Sequence, residues 1–559
     1  MMNLKKIIPI ILTVLFIAVA LYTRLVGLEK SPLSIGFDEA SLGYNAYSLY
    51  LTGKDEYGTP YPLSLRSFND FKPALYAYLA IPFIHFFDLN QTSIRAPSAI
   101  LGVLSLIFLL LIFKKVSGKS LLVSLGVITL ISLFPWRLHF SRVAFETNIS
   151  MAFFTGVVWF LLNFKKSLLY KIGAFFFSAL AIYSYHASRL AIPVLMFLVF
   201  LDPISLDLKR LDIKNLFKKL WPLALLPVLY LPLILETQAT LLLTRFNQTN
   251  VFSHFYPFTP SELLFAPNVW LNLLANPLYY LGGILSGHVF AYLSPKNLSL
   301  LIYPGVIKSA QVISGSGMLG FMGGALFIIG IITAFKKLVS GKDGRIIIYS
   351  FLAGIVPAII AWEWYYPLRS LNAFPAIDIA AGFGALAVIK YLWGRKNKLF
   401  AYASSSLFLL VIIVSSFYNT ANEFNYGAWN TSGEFQPGGF KEGVPLLMSL
   451  KDKYRTVYID SNQGQNYTML WFYMKYPPEN IQKIANKRNV PGVEGPATID
   501  FDNFVYKKFD WPNDKNKSSF IYWTSSEVKD EEIKSTPGAK LYRIKDPLGN
   551  YPASIVTKE

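Results

Sequence analysis

The feature that most constrains this fold is a series of apolar runs, most of them close to the roughly 20 residues that a helix needs to cross a bilayer. Of the 559 residues, 53% are hydrophobic and only 15% are charged, which would be unusual for a soluble protein. The sequence therefore predicts a polytopic α-helical membrane protein with about 11 transmembrane helices. The predicted spans lie near residues 7–27, 95–113, 120–136, 147–164, 171–186, 189–201, 220–236, 317–335, 346–361, 370–392 and 398–416.

Basic residues follow every second predicted span. The net charge of +19 comes from short Lys and Arg patches between apolar runs, not from a basic stripe on a polar domain, so we do not expect nucleic acid as a partner. Under the positive-inside rule these patches lie in the cytoplasm. We therefore expect a multi-pass protein of the cell membrane that has a cytoplasmic N-terminus and retains its first apolar run as a helix. The patches lie at 114–119, 165–166, 209–219, 336–345 and 395–398.

This orientation places three large segments outside the cytoplasm: residues 28–94, residues 237–316 and a polar tail. Apolar runs of spanning length end near residue 416. We therefore expect residues 1–416 to form a transmembrane domain and residues 417–559 to form a soluble extracytoplasmic α/β domain.

Short β-rich stretches support the α/β assignment of the tail. The residue types predict strands at Thr456–Asp460, 519–524 and 540–544, and a helix at 527–534.

Two adjacent carboxylates, Asp38 and Glu39, follow the first apolar run closely. A carboxylate fixed at a membrane surface can take a proton from a hydroxyl beside a lipid-borne substrate, whereas one in a soluble loop is usually only solvated. Their position beside the membrane favours the first interpretation. Lys72 and then Arg95 follow, and between them residues 74–87 form an apolar run that is short for a span and predicts a helix lying in the membrane interface.

An acid followed by a Lys and an Arg is the set of groups that transfer from a phosphate-linked donor requires. The carboxylate acts on the incoming nucleophile, and the cations neutralise charge that develops on the departing phosphate. The alternative for Lys72 and Arg95 is structural, because cations at helix ends often extend to lipid headgroups.

Three segments resemble the first-loop signature of the C-class (GT-C) membrane glycosyltransferases. They are Gly-Phe-Asp-Glu-Ala at 36–40, the Lys-Pro-x-Leu-Tyr segment that begins at Lys72, and Arg-Ala-Pro-Ser-Ala at 95–99. The branch they resemble contains protein O-mannosyltransferases and lipid A aminoarabinose transferases. The resemblance implies an inverting enzyme that uses a polyprenyl-phosphate sugar on the extracytoplasmic side. It also implies Asp38 as the catalytic base, Glu39 as its supporting acid, and Lys72 and Arg95 near the donor phosphate.

Two later segments extend the resemblance. In residues 139–146, Arg142 precedes Glu146 as an Arg precedes an acid in the family's second outer loop, where Asp is the commoner acid. Both residues are thus candidate contacts for the donor sugar or the acceptor, and an ion pair between them one helical turn apart is the alternative. Residues 366–370 resemble the entry to a late span of the family, which makes Arg369 a candidate phosphate contact.

The sequence indicates no cofactor. There is no cysteine, and the five histidines lack metal-ligand spacing. A Walker-type glycine loop is also missing, so ATP is not implied. The oligosaccharyltransferase branch of the class, which needs a divalent cation, typically carries a Trp-Trp-Asp-Tyr-Gly motif that this chain lacks.

The predicted function is transfer of a hexose, such as mannose, from a polyprenyl-phosphate donor to a hydroxyl of a protein, lipid or glycan acceptor. Two other classes stay open. A transporter or flippase of a lipid-linked glycan would also have many spans and buried cations, and a polytopic glycan-binding receptor would explain the polar tail. The distinctive charges cluster at the outer edges of the spans, which favours the transferase because transporters bind near mid-membrane.

Overall fold

The computed structural model describes residues 4–67, 70–205, 213–236, 249–253, 277–299, 316–429, 432–433, 436–461, 465–487, 498–526, 528–547 and 549–559. The helices are α1 Leu4–Leu25, α2 Phe37–Thr52, α3 Leu75–Phe87, α4 Gln91–Ser117, α5 Leu121–Ile131, α6 Pro135–His139, α7 Glu146–Leu162, α8 Leu168–Ile182, α9 His186–Leu201, α10 Ile213–Leu220, α11 Leu226–Leu235, α12 Pro277–Leu293, α13 Pro295–Ser299, α14 Gly320–Ser340, α15 Lys342–Ile359, α16 Pro367–Ser370, α17 Phe374–Trp393, α18 Lys398–Trp429, α19 Phe440–Leu450, α20 Asn466–Met474, α21 Pro478–Ile484, α22 Trp511–Asp514 and α23 Asp530–Lys534. The strands are β1 Ser64–Ser67, β2 Asp70–Pro73, β3 Ser432–Gly433, β4 Gln436–Pro437, β5 Thr456–Asp460, β6 Phe504–Lys507, β7 Phe520–Thr524, β8 Ala539–Ile544 and β9 Ala553–Lys558.

Every predicted span coincides with helix in the structure, and the short apolar run after Lys72 forms α3. Within the described residues, seven helical stretches are long and apolar enough to cross a membrane. Helices α5, α7 and α8 are shorter, with 11, 17 and 15 residues. The protein is thus a mostly helical, multi-pass membrane protein, and the count of about 11 spans stays a prediction. The seven stretches are Ile7–Leu25, Gln91–Ser117, His186–Ser205, Leu216–Leu235, Gly320–Ser340, Pro367–Trp393 and Lys398–Phe424.

Basic loops that are far apart in sequence meet at one end of the helical bundle. Lys115 Nζ donates to the carbonyl of Leu162 at 2.7 Å and lies 3.6 Å from the carboxylate of Asp343. Lys337 Nζ donates to the carbonyl of Ser117 at 3.1 Å. The patches at 114–119 and 336–345 therefore lie together in the folded protein, and their cytoplasmic location stays a prediction.

Helices α14 and α17 pack backbone against backbone through two glycines. A Cβ atom on Gly330 would lie 1.8 Å from the carbonyl oxygen of Ala380, and one on Gly384 would lie 1.9 Å from that of Leu326. Small residues at such crossings let membrane helices approach closely, where dispersion contacts hold them together.

We expect Gly330→Ala to lower the free energy of unfolding by about 1–3 kcal/mol, because the added methyl group must push the α17 backbone away. The matched control is Gly126→Ala in α5, where a Cβ would meet no atom within 4 Å and helix propensity favours Ala. The measurement is the temperature at which each variant, purified in detergent, loses its monodisperse form. Equal midpoints for the two variants would contradict this account of the crossing.

The tail forms a five-stranded mixed sheet in the order β6-β5-β7-β9-β8. Strand β5 pairs in parallel with β6 and β7, and β9 pairs antiparallel with β7 and β8. The three strands and the helix predicted for the tail correspond to β5, β7, β8 and α23, while β6 and β9 were not predicted. Helix α18 continues past residue 416 to Trp429, so one helix joins the last predicted span to the tail.

The sheet domain packs directly on α2, the helix that carries the acidic pair. Tyr44 on α2 donates its hydroxyl to the carbonyl of Tyr476 at 3.0 Å. Gln482 on α21 donates its side-chain amide to the hydroxyls of Ser48 and Thr52, at 3.1 and 2.9 Å. The tail therefore fixes the position of the helix on which the predicted catalytic residue lies.

Candidate active site

The acidic pair lies in the first turn of α2, not in an irregular loop. Gly36 precedes the helix, and its N–H donates to Glu39 Oε2 at 3.0 Å. A helix N-terminus carries partial positive charge, which stabilises carboxylates there. The two neighbours differ sharply in environment, because the side chain of Asp38 is 52% exposed and that of Glu39 is 1% exposed.

Glu39 and Arg95 form a buried ion pair that joins α2 to α4. Arg95 Nε donates to Glu39 Oε1 at 2.8 Å, and Nη2 donates to Oε2 at 3.0 Å. Glu39 Oε1 also accepts the N–H of Ala144 at 2.8 Å. The carboxylate thus ties together α2, α4 and the segment before α7.

The remaining N–H groups of Arg95 bind backbone carbonyls of the chain between α1 and α2. They donate to the carbonyls of Leu28, Pro32 and Ser34 at 2.6–2.8 Å. All five N–H groups therefore have acceptors within the protein. This arrangement leaves Arg95 no donor to offer a phosphate, in contrast to the sequence-based expectation, and gives it a structural role.

Arg142 also binds carbonyls, at the C-terminal end of α1. Its guanidinium lies 4.4 Å above the ring centre of Phe424, and it forms no ion pair with Glu146 among the described residues. A cation at a helix C-terminus interacts favourably with the exposed carbonyls. Neither sequence interpretation of Arg142, a sugar contact or an ion pair with Glu146, matches this placement. The carbonyls belong to Thr23, Arg24, Val26, Gly27 and Ser31, at 2.9–3.3 Å.

A cavity of about 440 Å³ collects four of the predicted site residues: Asp38, Lys72, Glu146 and Arg369. Lys72 is on β2, largely buried, and its ammonium pairs with the Asp38 carboxylate. The cavity lies at the end of the bundle opposite the basic loops. The other lining residues are Phe145, Thr147, Tyr185, His186, Ala187, Arg189, Leu190, Tyr230, Thr249, Asn250, Pro357, Ile360, Ala361, Tyr366 and Leu368.

Arg369 reaches the cavity from the short helix α16. Its Nη2 pairs with Glu363, and its Nη1 donates to the carbonyl of Thr249 at 3.4 Å. The chain just before α16 is held by Tyr292, whose hydroxyl accepts the N–H of Tyr366 at 2.9 Å. Arg369 is therefore a fixed cation on the cavity wall.

Sequence reasoning missed several polar residues of the cavity, among them His186, Arg189 and Tyr230. His186 and Arg189 lie in the short polar break between two apolar runs, at the N-terminal end of α9. That break was the available signal, since a His and an Arg beside a membrane helix are functional candidates by default. Tyr230 lies within an apolar run and gives no such signal.

No metal site is evident in the part of the chain that the structure describes, because no group of three or more His, Asp or Glu side chains there could hold an ion. Absence of a metal requirement stays a prediction.

Comparisons with known proteins point to one fold. No protein-family model and no curated protein sequence matches the chain. The structure is similar to that of ArnT from Cupriavidus metallidurans bound to undecaprenyl phosphate, with a TM-score of 0.52 and 13% identity over 97% of this chain and 97% of that chain. It is also similar to the oligosaccharyltransferase of Archaeoglobus fulgidus tethered with an acceptor peptide, with a TM-score of 0.50 and 14% identity.

The two similarities differ in extent. The match to the oligosaccharyltransferase covers 84% of this chain but 63% of that chain, so this chain spans less than two thirds of its length. Both neighbours are GT-C glycosyltransferases, and this chain has their fold. At such low identity the similarity shows the fold alone.

Proposed function

We propose that this chain, having the GT-C fold, is an inverting glycosyltransferase that moves a sugar from a polyprenyl-phosphate carrier to an acceptor hydroxyl. The observation that carries the proposal is the cavity, which is lined by the exposed carboxylate of Asp38 and by the cations Lys72 and Arg369. A base for the acceptor and cations for the leaving phosphate are the two requirements of this chemistry.

The donor is proposed to enter with its phosphate toward Lys72 and Arg369. A largely buried ammonium and a guanidinium offer a point charge and a planar fork, which together suit a phosphodiester. The structural neighbour from Cupriavidus was crystallised with undecaprenyl phosphate, which supports a lipid of this class.

Asp38 is proposed to act as the general base. Its carboxylate accepts the proton of the acceptor hydroxyl while that oxygen attacks the anomeric carbon of the donor. The bond between this carbon and the phosphate oxygen breaks on the opposite side, and the electron pair leaves with the polyprenyl phosphate. A carboxylate is a weak base for an alcohol, so proton transfer and bond formation must be concerted.

Lys72 links the two halves of this mechanism. Its ammonium pairs with the Asp38 carboxylate. A donor phosphate would compete for the same ammonium and so leave Asp38 facing the acceptor. Glu39 supports Asp38 indirectly, because its pairing with Arg95 fixes the first turn of α2.

We further propose a hexose such as mannose as the sugar, and a protein, lipid or glycan hydroxyl as the acceptor. Glu146 lies on the same cavity wall and is proposed to bind hydroxyls of the sugar or the acceptor. In the proposed orientation the cavity faces the outside of the cell membrane, because the basic loops meet at the other end of the bundle.

The proposal is tested by transfer with purified protein in detergent. Labelled undecaprenyl-phosphate mannose is the first donor, and the glucose, galactose and aminoarabinose donors complete the panel. With a mixed membrane extract as acceptor, we expect one donor to yield undecaprenyl phosphate and a labelled product. Failure to bind or turn over any donor of the panel would reject the proposal.

A further inference from the structure

Arg189 is a half-buried cation on the cavity wall with one edge of its guanidinium unused. It lies in the first turn of α9 and lines the cavity. Its Nη2 is shielded from water and has no hydrogen-bond partner among the described residues. An unpaired charged donor in such a place is costly unless a ligand supplies the acceptor.

The rest of the guanidinium is held in place. Arg189 Nη1 donates to His186 Nδ1 at 2.9 Å, and Nε donates weakly to the carbonyl of Ile182 at 3.4 Å. The hydroxyl of Tyr230 donates to the backbone carbonyl of Arg189 at 2.5 Å. The unused Nη2 is therefore held in a fixed place before any ligand arrives, which reduces the entropy that binding must overcome.

His186 couples Arg189 to the strand that carries Lys72. Because its Nδ1 accepts from Arg189, the ring carries its proton on Nε2, which donates to the carbonyl of Phe71 at 2.8 Å. Phe71 immediately precedes Lys72 on β2. The imidazole of His186 thus fixes the position of Arg189 relative to the strand that carries Lys72.

Charge balance separates Arg189 from the other cations of the cavity. Lys72 pairs with Asp38, and Arg369 pairs with Glu363. Within the described part of the chain, no carboxylate lies within ion-pair distance of Arg189, and Glu236 acts on it only through a longer-range electrostatic interaction. An anion entering the cavity would therefore meet Arg189 without displacing a carboxylate from it.

We propose that Arg189 is the first anchor of the donor phosphate, with Nη2 donating to a non-bridging phosphate oxygen. This inference rests on the proposed function, because it takes a lipid phosphate as the ligand. Lys72 and Arg369 then bind the phosphate in a second step, at the expense of their own carboxylates. A lipid alcohol, which lacks the phosphate, offers Nη2 only a neutral hydroxyl oxygen.

The test is equilibrium binding of undecaprenyl phosphate and of undecaprenol to wild type and to Arg189→Gln, both in detergent. We expect Arg189→Gln to lower the affinity for undecaprenyl phosphate by about ten- to a hundredfold, the usual loss for a hydrogen bond to a charged group. Its affinity for undecaprenol should equal that of wild type. The control is Arg345→Gln, since Arg345 pairs with Asp202 outside the cavity, and its affinity for both lipids should match wild type.

The outcomes distinguish this inference from the proposed function. If wild type and Arg189→Gln bind undecaprenyl phosphate equally, the role of Arg189 is overturned while the transferase stands. If wild type binds undecaprenyl phosphate no better than undecaprenol, the proposed function itself fails. Should Arg189→Gln not fold, Arg189→Lys replaces it, because it keeps the charge and removes the fork; unchanged affinity in that variant overturns the inference.

Discussion

Replacing Asp38 by Asn is expected to lower the rate of sugar transfer by about a hundred- to ten-thousandfold, the range typical of a lost general base. The amide keeps the size of the side chain but cannot take the acceptor proton. Donor binding should be at least as tight as that of wild type, because the cations of the cavity are unchanged and Lys72 loses its competing carboxylate. The measurement is single-turnover release of undecaprenyl phosphate, together with the dissociation constant of the donor.

Asp88→Asn provides a matched control for this substitution. Asp88 is also an exposed aspartate that pairs with a lysine, Lys475, but it does not line the cavity. We expect its transfer rate to equal that of wild type. Equal rates for Asp38→Asn and Asp88→Asn would remove Asp38 as the base and with it the proposed mechanism.

Replacing Glu39 by Gln is expected to cost about 3–5 kcal/mol of stability, the usual result of breaking a buried ion pair from one side. Arg95 is fully buried, so its charge would lose its only carboxylate partner in the described structure. The first turn of α2 would loosen with it, because Glu39 also accepts the N–H groups of Gly36 and Ala144. We therefore expect lower thermal stability in detergent and, at temperatures where the protein stays folded, slower transfer.

The exposed pair between Lys540 and Glu559 serves as the comparison for Glu39. Both of these side chains are more than half exposed, and surface ion pairs contribute little to stability. Glu559→Gln should therefore melt at the wild-type temperature. If Glu39→Gln melts at that temperature too, the buried pair is not what holds α2, α4 and the segment before α7 together.

Helices were predictable from the sequence because each needs only a local run of apolar residues. All the predicted spans coincide with helix, and the predicted interface run forms α3. Strands β6 and β9 were missed; each has a partner far along the chain, β5 for β6 and β7 for β9, although β9 also pairs with the nearby β8. Pairing over such distances leaves little trace in any short segment.

The candidate site was only partly predictable, for a different reason. Asp38, Lys72, Glu146 and Arg369 do share one cavity, although their individual roles stay predictions. Arg95 and Arg142 have the same sequence context as Arg369, a cation near the outer end of an apolar run, yet they bind carbonyls of the protein itself. Sequence position places an arginine at the right depth, but only the fold decides whether it faces a ligand or the backbone.

The docking of the sheet domain on α2 has a consequence for how the protein is made. Tyr44 and the carbonyl that it binds are 432 residues apart in the chain. A ribosome adds about 5–20 residues per second, so α2 waits on the order of tens of seconds for its partner. During that interval the chain already contains Asp38, Glu39 and Lys72, but not the sheet domain that packs on α2. Activity should therefore arise late in synthesis, when the folded tail closes on the first outer segment.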